Sequence, residues 1–343
     1  MTPHDALITK LVAADCARTA GGEPLSRPFL LSVVDFAAGY ARLEKLLFGS
    51  PRVVYSSSSL EIDLSLAGDP LVQGEKLAEA ERARFDLPAG PILELGYLIE
   101  DQGIKIIPRA FPAGSRACGG FFFDGVLGPC ILVDARSSSV ERDYVLAHQY
   151  GHFLADYDPY ITTLCGRPEP YMLENARESR AHEFALAFLM PRADFELYRS
   201  AMGLKADVPL PIELARQLQV YFDVDLEMIF WRLLSLGWVD AERLATLLKQ
   251  NEGLLAELRG AAEDPDPGRV IPGRFIHLVA SAFGRKLIDL DGAAEFLGAS
   301  LVDTKGILDQ FHYEYESGRA PSRGKPPIPG PGSSRTGSTP SQN

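Results

Sequence analysis

The sequence predicts an α+β fold, a small and mainly antiparallel sheet set among helices. Three observations carry that prediction. Helical spacing of apolar residues dominates up to Gly103, short runs of β-type residues fill 104–133, and two long apolar-rich helical segments follow.

Taken in order, Phe29 to Phe48 places Leu30, Val34, Phe36, Ala37, Tyr40, Leu43, Leu46 and Leu47 at near-helical spacing, and Pro51 with Ser56-Ser57-Ser58-Ser59 ends the pattern. A second unit opens near Asp69-Pro70. Val72 to Phe85 reads as a helix with Leu77, Ala80 and Ala83 inward, and Pro91 to Gln102 as another, with Gly103 at its C-terminal end. Ile104 to Ile107, Gly119 to Phe123 and Cys130 to Val133 read as strands, with Gly125 and Gly128-Pro129 as turn punctuation. Ser137 or Ser138 caps the next helix, since Glu141 lies at capping-box distance from Ser138. That helix runs from about Val140 to Asp156, with Pro159 beyond it. Glu174 to Met190 is a further helix stopped by Pro191, Pro209 to Leu236 reads as two helices, and Pro272 to Phe311 as a last compact helical unit. The expected organisation is a helical connector region over 1–66, a central domain over 67–260, a small helical unit over 268–317 and a disordered Pro/Gly/Ser-rich tail over 318–343.

Composition excludes several classes. With 46% hydrophobic residues in 343 there is ample material for a core. A formal net charge of −12 argues against broad affinity for nucleic acid. Cys16, Cys118, Cys130 and Cys165 form no C-x-x-C pair, and free thiols are expected over a Cys118–Cys130 bridge. Met1-Thr2-Pro3-His4-Asp5 lacks the basic start and apolar run of a signal peptide, and no apolar run reaches the length of a membrane span. The expectation is a soluble cytoplasmic protein.

The chemistry concentrates in His148-Gln149-Tyr150-Gly151-His152. Histidines four apart lie about one helical turn from each other on one face, where both imidazoles reach a single cation. That spacing also occurs on ordinary surface helices. Here, however, Val145, Leu146, Phe153 and Leu154 mark a buried helix, in which histidines need partners. Gly151 permits close backbone approach. A catalytic zinc site usually takes three protein ligands, and the helix from Glu174 to His182 offers the third. Glu178 and His182 share one face, with His182 as a partner orienting a ligand or as an alternative ligand. Glu183, five residues past Glu178, is rotated well away from it.

These residues resemble the ImmA/IrrE family of zinc metallopeptidases. The family pattern is a histidine-glutamate-x-x-histidine helix followed by a helix with Glu and a segment Ala-Asn-x-Phe-Ala-x-x-Leu-Met-Pro. The second segment reads here Glu178-Ser179-Arg180-Ala181-His182-Glu183-Phe184-Ala185-Leu186-Ala187-Phe188-Leu189-Met190-Pro191. The resemblance covers about 70–240. Asp35-Phe36-Ala37 and Tyr40 to Leu47 are similar to the connector of longer members, which follows a repressor-like helix-turn-helix. The resemblance implies a zincin-like core, zinc (Zn2+) held by His148, His152 and Glu178, and a helix-turn-helix repressor of mobile elements or of the DNA-damage response as protein substrate. The chain before the connector is too short for a complete helix-turn-helix, so DNA binding by that end is not expected.

The chain departs from the pattern at Gln149, which stands at the position of the general base, and at His182, where Asn is usual. A glutamine carbonyl accepts a hydrogen bond from water but takes no proton at neutral pH, so an impaired endopeptidase is expected. Neither Asp143 nor Asp156 is placed to substitute as base. The alternative is a non-catalytic pseudo-peptidase acting as a regulator or zinc-sensing protein. Leu290 to Ser300 and Val302 to Leu308 resemble a helix, a Gly turn and a second helix. Asp303 and Lys305 give that second helix no basic face, which favours a protein contact over DNA.

Overall fold

The computed structural model describes residues 5, 7–12, 25–50, 68–113, 115, 117–156, 163–166, 175–203, 211–261 and 271–317. At its centre is a four-stranded mixed sheet ordered β1-β3-β2-β4, built from β1 Lys105–Arg109, β2 Ala117–Asp124, β3 Gly128–Asp134 and β4 Thr163–Gly166. β1 pairs parallel with β3, and β2 pairs antiparallel with both β3 and β4, so the sheet is mainly antiparallel as expected. β1 runs on through Pro108, which an edge strand tolerates because one side of its backbone makes no ladder bonds.

Strand alternation sends side chains to two cores. Ile106, Phe121, Ile131 and Val133 face one, with α2 Pro70–Arg84, α3 Leu95–Asp101, α4 Ser139–Asp156 and α5 Ala176–Leu189. Ile107, Phe122, Cys130 and Leu132 face the other, against Leu30, Val33, Val34 and Ala37 of α1 Arg27–Phe48. The stretch read as a connector is therefore a layer covering the back of the sheet. Cys118 and Cys130 are both buried and free, and burial pushes the Cys130 thiol up to about 12.

Several helices start on side-chain caps, of which the sequence reading named Ser138 as one of two candidates. Ser26 accepts from the Phe29 N–H, Asp69 from the Leu71 N–H and Ser138 from the Glu141 N–H. The segment expected to be helical from Pro91 is helical only from Leu95. Arg82 donates to the carbonyls of Pro88 and Gly90 at 2.6 and 2.9 Å, the Gly90 N–H donates to Asp194, and Glu94 lies in the left-handed region at φ 56°. These ties hold 88–94 as an ordered loop. β4 and the helices α6 Arg192–Ala201, α9 Ala241–Gln250 and α10 Glu252–Ala261 are additions to the sequence reading. The expected pair over 209–236 is α7 Ile212–Phe222 and α8 Leu226–Ser235. Pro159, the acidic stretch 263–267, the tail 318–343 and the boundary positions 66–67 and 268 lie outside the described residues.

Two buried charge clusters tie the helices. Arg232 of α8 donates to Glu75 of α2, to Glu183 of α5 and to the Met190 carbonyl, at 2.7–2.9 Å. At the other end, Glu44 of α1 pairs with Lys105 of β1 at 2.9 Å and with Arg274 at 2.7 Å. Arg274 opens α11 Gly273–Gly284, which packs with α12 Leu290–Leu297 and α13 Leu301–Ser317 against Tyr40 and Leu43 of α1. Gly298, at φ 62°, makes the expected turn between α12 and α13.

Candidate metal centre

α4 and α5 pack against one another. Close contact is possible because Gly151 faces Phe184. A Cβ on Gly151 would sit 2.8 Å from the Phe184 ring, where real Cβ atoms are not found. Gly74 has the same role between α2 and α5, where a Cβ would lie 2.8 Å from the Phe184 nitrogen. Every residue of α4 from Tyr144 to Leu154 is buried. A line of polar groups pairs between the two helices: Tyr144 with His182, His148 and His152 with Glu178, and Asp156 with Arg180.

The middle of that line is the candidate site. His148 Nε2 lies 3.3 Å from Glu178 Oε2, and His152 Nε2 lies 3.4 Å from Glu178 Oε1. The two imidazole rings are edge to face with centroids 4.9 Å apart. One ligand atom from each of His148, His152 and Glu178 falls within 4.8 Å of the others. The histidine side chains are 7% and 1% exposed, whereas Glu178 is 20% exposed and meets solvent. Burial works to raise the Glu178 carboxyl, but the two imidazoles beside it outweigh burial and hold it far below the usual carboxylate range. The structure thus brings together all three residues named as ligands from the sequence. Glu183, on the same helix, is instead committed to Arg232.

Flanking groups extend the line. On one side Tyr144 Oη lies 2.6 Å from His182 Nδ1, and the His182 ring packs on Trp231 with centroids 5.2 Å apart. Burial, with the neighbouring His148 adding to it, lowers the His182 pKa to about 3 and keeps the ring neutral. His182 therefore sits next to Tyr144 and stands outside the group of three. On the other side, His152 Nδ1 lies 2.9 Å from Asp156 Oδ2, and Asp156 pairs in turn with Arg180. Gln149 follows His148 on α4 and is wholly buried. The sequence reading passed over Tyr144 and weighed Asp156 only as a substitute base, not as a partner of His152. Their signal was present as further steps of four along α4, from 144 through 148 and 152 to 156.

Two imidazoles and a carboxylate converging between helices beneath a small mixed sheet, with the histidines one turn apart, define a metallopeptidase-type domain. Residues 99–233, from the end of α3 to α8, match the IrrE N-terminal-like domain of the Peptidase_M78 family. That match supports membership of the ImmA/IrrE family of metallopeptidases. No curated protein matches the chain. Among the described residues, no helix is long and apolar enough to cross a membrane.

Proposed function

We propose that the chain holds a zinc ion through His148, His152 and Glu178, takes a helix-turn-helix transcriptional repressor as its protein substrate in the cytoplasm, and is catalytically impaired at Gln149. The observation that carries the zinc reading is the donor set, with two imidazole nitrogens and one carboxylate within 4.8 Å. Calcium and magnesium prefer shells of oxygen, whereas this mixed set fits zinc with a position left for water or substrate. Bound zinc would supply Lewis-acid polarisation of a peptide carbonyl and a more acidic water. The repressor class follows from the family resemblance.

In this reading the position after the first histidine supplies no group to receive the proton. Gln149, next to His148, is a neutral amide and takes up no proton at neutral pH. Loss of a general base costs about 10²- to 10⁴-fold in rate. Gln149→Glu is nearly isosteric, so its packing cost is small, and the new carboxylate ionises beside a cation. Protein from zinc-replete expression is expected to carry about one zinc per chain, and Gln149→Glu to gain chelator-sensitive cleavage of the repressor, measured by gel assay. Absence of zinc refutes the site. Brisk cutting by the Gln149 form refutes the impairment, and inactivity of the zinc-loaded, repressor-bound Gln149→Glu form leaves the pseudo-peptidase.

A further inference from the structure

We propose that Asp156 is a positioning residue of the metal centre, which fixes the ring of His152 and is itself fixed by Arg180. The inference rests on the metal reading above. Asp156 is the last residue of α4, where the negative end of the helix dipole disfavours an acidic side chain. Yet its side chain is only 5% exposed. Its two oxygens are divided between two tasks. Oδ2 lies 2.9 Å from His152 Nδ1, while Oδ1 contacts Arg180 Nη2 and lies 3.9 Å from Arg177 Nε. Arg180 is anchored in turn, donating through Nη1 to Gln73 Oε1 of α2 at 2.7 Å. The chain Gln73–Arg180–Asp156–His152 thus crosses three helices and ends on a ligand.

The consequence for His152 is chemical. An imidazole that donates from Nδ1 to a carboxylate keeps its lone pair on Nε2, and Nε2 is the atom that faces Glu178 at 3.4 Å. The carboxylate also makes the ring a stronger donor to a cation. Without Asp156 the ring is free to take the other tautomer or to rotate, and the donor set loses its geometry before any ion arrives. A carboxylate serving only to join α4 to α5 would need Arg180 and not His152.

The test uses the full chain and the variants Asp156→Ala and Asp156→Asn. Zinc affinity is read by competition with a chromophoric chelator, cobalt coordination by its visible spectrum, and the metal-free fold by its melting temperature. Asp156→Ala is expected to lower the metal-free melting temperature through the lost Arg180 pair, and beyond that to weaken zinc about tenfold to a hundredfold and to change the cobalt spectrum. Asp156→Asn keeps an oxygen of the same shape and is expected to recover part of the loss. If Asp156→Ala fails to fold, Asp156→Asn carries the comparison and is expected to bind measurably more weakly than the parent. Equal zinc affinity in parent and variants overturns this inference alone. So does an affinity loss that only tracks the metal-free melting temperature while the cobalt spectrum stays the same. A parent chain that takes up neither zinc nor cobalt overturns the metal reading, and this inference with it.

Discussion

At the scale of single residues, the site is decided by which carboxylate on α5 meets the histidines. Glu178 and Glu183 are both on that helix, but Glu178 faces His148 and His152 while Glu183 meets Arg232 at 2.7 Å. Glu178→Gln is expected to lower zinc affinity by a large factor, because a neutral amide oxygen is a weaker zinc ligand than a carboxylate anion. Glu183→Gln is expected to leave zinc affinity unchanged and to lower the melting temperature, since it perturbs a buried charge cluster. Chelator competition and thermal unfolding of the two variants check this, and the reverse ranking would exclude Glu178 as the ligand. Glu178 was legible in the sequence through the family-like segment and the 3.6-residue period, which separates it from Glu183 by angle. Asp156 was legible only in part. Its spacing from His152 is regular, but whether an aspartate at a helix end turns inward depends on Arg180, which arrives from another helix.

At the scale of elements, the seam between α4 and α5 is set by Gly151, opposite Phe184. Gly151→Ala keeps helix propensity, which it even improves, but it forces a methyl group into the Phe184 ring. The expected net effect is a loss of about 1–3 kcal/mol, the range for overpacking a filled core, together with weaker zinc binding as His152 and Glu178 move apart. Chemical denaturation measures the first and chelator competition the second. A variant as stable as its parent would mean that the seam relaxes freely. Three of the strands and the helices other than α6, α9 and α10 could be read from periodicity and caps. β4 could not, because a four-residue strand carries too little pattern to stand out from a loop. The start of α3 was misjudged for a related reason. Pro91 and Ile92 look like a helical first turn, but Arg82 and Asp194, from elsewhere in the fold, bind the backbone in another shape.

At the scale of the whole molecule, the C-terminal helices are joined to the sheet by charge as well as by apolar packing. Arg274 reaches Glu44, and Glu44 also holds Lys105 at the start of β1. Removing one member leaves a buried charge short of a partner, which costs up to about 3–5 kcal/mol. Arg274→Met is therefore expected to lower the melting temperature and to speed amide hydrogen exchange in α11–α13 more than in α4. Uniform exchange across the two regions would show that the cluster does not anchor the C-terminal unit. α1 belongs to the same scale. Its amphipathic pattern announced a helix, but not that one end would cover the sheet and the other receive α11.

The sequence by itself determined the α+β class, the two motif helices and the histidine pair, which follow from local period and from the chemistry of a residue type at a fixed spacing. The choice of Glu178 as their partner, and the reading of Gln149 as the position of the base, came with the family resemblance. Only the tertiary structure decided the parallel pairing of β1 with β3, the role of α1 as a layer, the commitment of Glu183 to Arg232 and the inward turn of Asp156. Those outcomes depend on which buried charges and strand edges meet across long stretches of chain. Such meetings are settled by packing and by the cost of leaving a buried polar group without a partner, and neither leaves a periodic trace in the sequence.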